Sequence, residues 1–315
     1  MGDQYPPAQE VSAEGAVVVF SIIDLSFQGQ PAIIASYVLR GPRGVALIET
    51  GPASSYPALK AGLADLDIEL AQITDILLTH IHLDHAGAAG WLARDSGATV
   101  HVHSVGAPHL ADPAKLLASA RRIYGDAMDR LWGETIAVPA GQMHALADGD
   151  VIDAAGLAVQ AVDTPGHAWH HMAYLLDGRC FTGDVAGVHF PALPHVRVPT
   201  PPPEIDLPAW RRSLARLRAL RPDQLLPTHF GPAELDTLSH LQAVGEQLEA
   251  AAQFVQVRWQ AGEGEETIIA AYKSWVAQAA LADGARAEDI DHYELIVPSE
   301  MCVQGLMRYW QKQGG

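Results

Sequence analysis

Cysteine is scarce in this 315-residue chain: only Cys180 and Cys302 occur. Two cysteines cannot build a disulfide framework, which fits a reducing, cytoplasmic setting. Basic residues are also few, 20 Lys and Arg against 37 Asp and Glu, leaving a formal net charge of −17. A chain so acidic lacks the basic footprint that displaces counterions, so neither nucleic acid nor an anionic membrane surface is an expected partner. No apolar run approaches the roughly 18 residues that a membrane span needs. The opening "MGDQYPPAQE" has neither a charged leader nor an apolar core of a secretory signal. Tyr5 and Pro6 stand where a myristoylation signal would carry Ser or Thr. Histidine, by contrast, is abundant at 15 residues. Any metal in this chain is therefore held by nitrogen and oxygen rather than sulfur. Hydrophobic residues at 49% and charged residues at 18% describe a globular chain, long enough for one large α/β domain or one domain with an added subdomain.

Short β-branched runs separated by Gly and Pro, "AVVVFSIIDL", "AIIASYVLR" and "VALIET", predict a strand meander in the first fifty residues. A short helix follows over "SSYPALKAGLADL", with Ser54 or Ser55 at its N-cap. "ITDILLT" reads as a buried strand, "GAAGWLARDSG" as a helix and "ATVHVH" as a further strand, an α/β alternation whose sites lie beyond strand carboxyl ends. The segment 113–132 reads as one amphipathic helix with Leu116, Leu117, Tyr124, Met128, Leu131 and Trp132 near helical spacing. Its plainest role is a stripe packed on the core; a lid or a homodimer surface is the alternative. A second strand-rich block covers "DVIDAAG", "LAVQAVDT", "HMAYLLDG" and "RCFTG", and the proline-rich "VRVPTPPPEIDLP" reads as a wrap over the surface. The expected organisation is an α/β body over 1–235 with a helical C-terminal extension over 236–315. Segments 113–132 and 188–208 are its candidate lids.

"THIHLDHAG" packs His80, His82, Asp84 and His85 into six positions directly after an apolar strand. A lone His or Asp in a loop is usually surface polarity. Four ligand types together are too many for one divalent ion and too few for two, so partners are expected at other strand ends. Three stand there: His167 in "DTPGHAWHH", Asp184 in "CFTGDVAG" and His229 in "LLPTHFGP", each next to a Gly that lets backbone pass close to a crowded site.

These four motifs in this order, after the "LIETG" stretch that holds Glu49, resemble the metallo-β-lactamase superfamily over about residues 15 to 235. The resemblance implies a four-layer αββα sandwich with metals at one edge. It assigns His80, His82 and His167 to one ion, Asp84, His85 and His229 to a second, and Asp184 to both. Two divalent ions are implied, Zn by default, with Fe or Mn equally suited to nitrogen and oxygen ligands. Departures narrow the branch. Glu49 replaces the Asp that usually precedes "TG" and supports the metal loop, so its longer side chain is expected to keep that task. The bridging Asp184 argues against a true β-lactamase, His82 against flavodiiron-type members, and the acidic surface against nucleases. The glyoxalase II-like and lactonase-like branch remains. It implies a hydrolase of a small carboxylic ester, lactone or thioester that uses a metal-bridging hydroxide as nucleophile, with Asp84 orienting it and passing on its proton. A mononuclear iron thiol or persulfide dioxygenase on the same fold is the alternative. Lactonases of the superfamily place a Tyr after the bridging Asp; none stands here, so His189 is expected to take that catalytic part. His171 is read as a support for the ligands, and His195 as a residue bordering the pocket. A lactone or simple ester ranks above a glutathione thioester, because basic residues near the C-terminus are scattered.

Overall fold

The computed structural model describes residues 20–314 apart from Ala192 and Pro194. The expected first strand begins inside them as β1 (Phe20–Asp24), its leading residues 16–19 lying outside the described residues. Five more strands join it: β2 (Ala35–Gly41), β3 (Gly44–Ile48), β4 (Ile73–Leu77), β5 (Thr99–His103) and β6 (Met143–Leu146). They form one sheet in sequence order, antiparallel from β1 to β3 and parallel from β3 to β6. The apolar runs of β3 and of the carboxyl end of β4 are those of strands buried on both faces; Leu47, Ile48, Ile76 and Leu77 are fully buried, as is Val100 of β5. Each such side chain contributes roughly 1.5–3 kcal/mol by leaving water.

The second sheet has the order β11-β10-β9-β8-β7. Its strands are β7 (Val151–Ala154), β8 (Leu157–Asp163), β9 (Met172–Leu176), β10 (Arg179–Gly183) and β11 (Gln224–Pro227). Helices α1 (Tyr56–Asp65), α2 (Leu83–Ala86), α3 (Ala89–Ser96), α4 (Ala107–Ala111), α5 (Ala114–Tyr124) and α6 (Met128–Trp132) precede this sheet. After β10 come α7 (Leu207–Leu220), α8 (Thr237–Gln260), α9 (Glu265–Ala282), α10 (Ala287–Ile296) and α11 (Ser299–Lys312). The fold is mixed α/β with two sheets and C-terminal helices, as the sequence implies. No helix among the described residues is long and apolar enough to cross a membrane.

Chain contacts define two compact units: the described residues up to Val162 with Tyr174–Asp177, and Asp163–Ala173 with Gly178 onward. Two expectations change within them. The single helix over 113–132 is two, because Gly125 adopts φ 50 and ends α5 at Tyr124. Only Ala120 of α5 is buried, so its apolar residues are not a stripe packed on the core. The proline-rich stretch is also no surface wrap. Val198 and Thr200 are buried; Thr200 Oγ1 donates to Cys302 O on α11, and Gly305 of α11 packs against Thr200 O so closely that no Cβ fits.

Candidate metal centre

In the first unit, β4 delivers the chain into a buried turn that carries the His-rich loop. Tyr174, wholly buried, donates its hydroxyl to Leu78 O at 2.8 Å and anchors the turn from β9. Glu49 closes β3 with a left-handed backbone (φ 68), an uncommon conformation for a residue with a side chain. That twist sends its carboxylate under the loop. Oε1 accepts from Thr79 N at 3.2 Å and lies 3.5 Å from His85 Nδ1, with Glu49 wholly buried. Glu49 Oε2 has no hydrogen-bond partner among the described residues. The longer acid thus supports the loop as the sequence reading expects. Thr50 N, Gly51 N and Thr50 Oγ1 all donate to His85 O and fix the far end of the loop.

The four side chains of the loop turn toward one another. His80 Nδ1 lies 3.0 Å from Thr79 Oγ1, and His80 Nε2 lies 3.0 Å from His82 Nδ1. Two ring nitrogens this close need either a proton or a cation between them. The His80 and His85 rings stand 4.0 Å apart, and His85 Nε2 is 3.6 Å from Asp84 Oδ2. Asp84 keeps 23% of its side chain exposed, whereas His80 and His85 are wholly buried.

The second unit supplies the other three candidates. β8 runs into Thr164, Pro165 and Gly166, and the α7 backbone at Trp210 lies so close to Gly166 that a Cβ there would overlap it. Asp206 caps α7 by accepting from Ala209 N, and Trp210 Nε1 donates to Val185 O at 2.8 Å, so α7 braces the chain at both ligand loops. His167 Nδ1 donates to Pro199 O at 2.9 Å, which leaves Nε2 as the lone-pair nitrogen. That Nε2 lies 3.3 Å from Asp184 Oδ2, while His229 Nε2 lies 3.5 Å from Asp184 Oδ1. One carboxylate therefore offers a separate oxygen to each of two imidazoles. His171 holds it from behind: its Nε2 accepts from Asp184 N at 3.1 Å, and its Nδ1 meets Thr164 Oγ1 at 2.8 Å. All seven residues offer nitrogen or oxygen ligand atoms and no sulfur, a donor set able to hold divalent metal.

The remaining histidines divide by what their rings touch. His189 pairs through its backbone with His229 O and Phe230 N; its Nε2 lies 3.3 Å from Gly231 O, and its ring packs 5.8 Å from His240. Burial pushes His189 down and takes His240 to about 4. His195 faces Asp283 Oδ2 at 2.8 Å, and Tyr293 donates to its carbonyl. Burial pushes His195 down although Asp283 opposes the shift. Sequence reasoning passed over Tyr124. Burial and the negative charge of Asp84 together hold its phenol above the ordinary value, yet in the sequence it is one apolar position in a helical stripe.

A sequence profile of the metallo-beta-lactamase superfamily matches residues 29–229. The metallo-beta-lactamase fold-containing protein ST1585 of Sulfurisphaera tokodaii is 32% identical over 204 residues, 64% of this chain and 74% of that one. Its crystal structure superposes with a TM-score of 0.58 at 26% identity, covering 74% of this chain and 85% of the other. An atrochrysone carboxyl ACP thioesterase of Aspergillus fumigatus is 28% identical over 64% of this chain and 39% of its own length. A hydroxyacylglutathione hydrolase of Rhodopseudomonas palustris is 31% identical over 41% of this chain and 40% of its own. This chain thus spans about two fifths of the length of those two relatives.

Proposed function

Because this chain belongs to the metallo-beta-lactamase superfamily, we propose that it is a metal-dependent hydrolase of a small carboxylic ester, lactone or thioester. His80, His82 and His167 would hold one divalent ion, Asp84, His85 and His229 a second, and Asp184 would serve both. The observation that carries this reading is the Asp184 carboxylate, with Oδ2 toward His167 and Oδ1 toward His229. A carboxylate fixed with one oxygen to each imidazole is arranged as a bridge, and His171 prevents its backbone from turning away. The donor set fits zinc, and iron or manganese equally. Divalent metal held there would supply Lewis-acid chemistry, lowering the pKa of a bound water toward neutrality and polarising a carbonyl.

The protein's own groups do the rest. Asp84, the most open of the carboxylates in the first cluster, accepts a proton and passes it to solvent. Glu49 holds His85 and the Thr79 amide so that the loop keeps its shape when charge develops. The substrate is a small molecule met in the cytoplasm. Similarity to a thioesterase and to a hydroxyacylglutathione hydrolase adds weight to thioesters. Anionic glutathione carriers remain disfavoured, because Arg258 and Arg286 on the C-terminal helices pair with Glu263 and Asp289, and Lys312 Nζ is spent on Pro203 O. Metal analysis of the protein as isolated, followed by hydrolysis assays on matched esters, lactones and thioesters, tests the proposal. Two ions per chain with hydrolysis is expected. One iron per chain with oxygen uptake on a thiol or persulfide overturns it.

A further inference from the structure

An aromatic cluster stands beside the His-rich loop in the first unit, and the ligand assignment leaves it without a task. Ser54 Oγ donates to Leu131 O at 2.6 Å, and a Cβ on Gly133 would lie 2.7 Å from Ser54 N, so α6 is pressed onto residues 53–55. That turn begins at Gly51, whose amide donates to the His85 carbonyl. On α6, Trp132 stacks on Phe27 with ring centroids 5.6 Å apart and meets Tyr124 edge-on at 4.9 Å. Because Gly125 ends α5 immediately after Tyr124, the phenol is fixed by this cluster rather than carried onward along a helix face.

Several polar atoms here lack the partners that burial demands. Trp132 Nε1 and Thr135 Oγ1 are buried with no hydrogen-bond partner among the described residues, and each residue is only 7% exposed. The Tyr124 hydroxyl, on a half-buried residue, makes no hydrogen bond among the described residues. A buried donor left unmet costs roughly 1–3 kcal/mol, so this wall is short of acceptor oxygens. An ordinary phenol is protonated at neutral pH, so the Tyr124 hydroxyl is a standing donor.

We infer that Tyr124 is a substrate-binding residue: its hydroxyl, positioned by Trp132 and Phe27, donates a hydrogen bond to an oxygen of the substrate's acyl part, whose apolar or planar group rests on the same aromatic wall. The inference rests on the hydrolase reading for the kind of substrate and deepens it by selecting acyl groups that carry an aryl or similarly flat group. Full-length, metal-loaded wild-type, Tyr124→Phe and Tyr309→Phe proteins are compared in two ways. Calorimetric titration with phenylacetate, a carboxylate bearing an aryl group, is expected to bind wild-type and Tyr309→Phe alike and Tyr124→Phe about ten-fold more weakly, with metal content and melting temperature unchanged. Equal binding to wild-type and Tyr124→Phe, or no binding to any of the three, overturns the inference. Hydrolysis of phenylacetyl and acetyl esters is then followed. Tyr124→Phe is expected to lose about ten-fold in kcat/KM with a larger loss for the phenylacetyl ester, and an unchanged ratio overturns the inference. A ten-fold weaker titration without turnover of any ester by wild-type protein sinks the hydrolase reading and leaves the binding site standing.

Discussion

Two carboxylate–histidine clusters in the first unit use the same residue types to different ends. At the amino-terminal side of β4, Asp75 Oδ1 meets His101 Nε2 at 2.8 Å, while Oδ2 accepts from Ala155 N and Thr74 Oγ1. The other nitrogen of His101 faces His144 Nδ1 at 3.2 Å across the β5–β6 pair. Burial alone would raise Asp75, but hydrogen bonds from His101, Thr74 and the Ala155 amide outweigh it and hold the carboxyl below its ordinary range. Every buried polar atom of that cluster is answered from within the protein. At the carboxyl-terminal side of β4, His80 and His82 likewise bring ring nitrogens together, at 3.0 Å, but Asp84 stays partly open. What separates the two clusters is the carboxylate: Asp75 spends both oxygens inside the protein, whereas Asp84 keeps 23% of its side chain open to solvent.

Four experiments press on that difference. The largest effect is expected from Asp184→Ala, which removes the carboxylate facing two imidazoles: activity should fall on the order of 10³-fold and both metals should be lost together. Retention of full metal content by plasma mass spectrometry would contradict the bridging role. Glu49→Gln comes next, because it keeps the shape but weakens the charged support of the loop. About a 10–100-fold loss of metal affinity in a competitive chelator titration is expected, and an unaltered affinity would make Glu49 a packing residue only.

Asp75→Ala should show the opposite profile. It strips His101, Thr74 and Ala155 of a shared buried acceptor, so about 2–4 kcal/mol of stability should be lost in urea unfolding with metal content intact. Loss of metal in that variant would erase the distinction between the clusters. The smallest effect is expected at exposed His144, where replacement by Ala should cost no more than about 0.5–1 kcal/mol.

A pH titration sharpens the comparison further. Burial lowers His240 to about 4, below its unfolded value. Between those values the unfolded chain binds the proton that the folded chain refuses, so stability rises with pH across that window and is lost on acidification. A change of about 2–3 kcal/mol between pH 7 and pH 4 is expected. His240→Gln should flatten this slope, and an unchanged slope would assign it to other groups.

All seven candidate ligands were legible because their chemistry is local: four share the loop that follows β4, and His167, Asp184 and His229 lie shortly after β8, β10 and β11, each close to a Gly that tolerates crowding. The support from Glu49 was legible for the same reason, since it directly ends β3. The single helix over 113–132 was misread because its apolar spacing is continuous through Gly125, and only the left-handed turn there shows that the period is broken. The proline-rich stretch was misread because composition reports what a segment can do alone. It could not show that Arg197, ion-paired with Glu294 at 2.9 Å, and Thr200, bonded to α11, draw that stretch inside its unit.

The candidate ligands, the supply of nitrogen and oxygen donors rather than sulfur, and the alternation of strand and helix were determined by the order of residue types, because periodicity and scarcity act along the chain. Only the tertiary structure decided which lone pair His167 presents and which oxygen of Asp184 faces which ring. It alone decided that Asp75 and His101 satisfy each other, and that the Tyr124 phenol stands within reach of Asp84's charge with its hydroxyl unspent. Those facts depend on groups far apart in sequence competing for the same hydrogen bonds, and that competition exists only once the chain has folded.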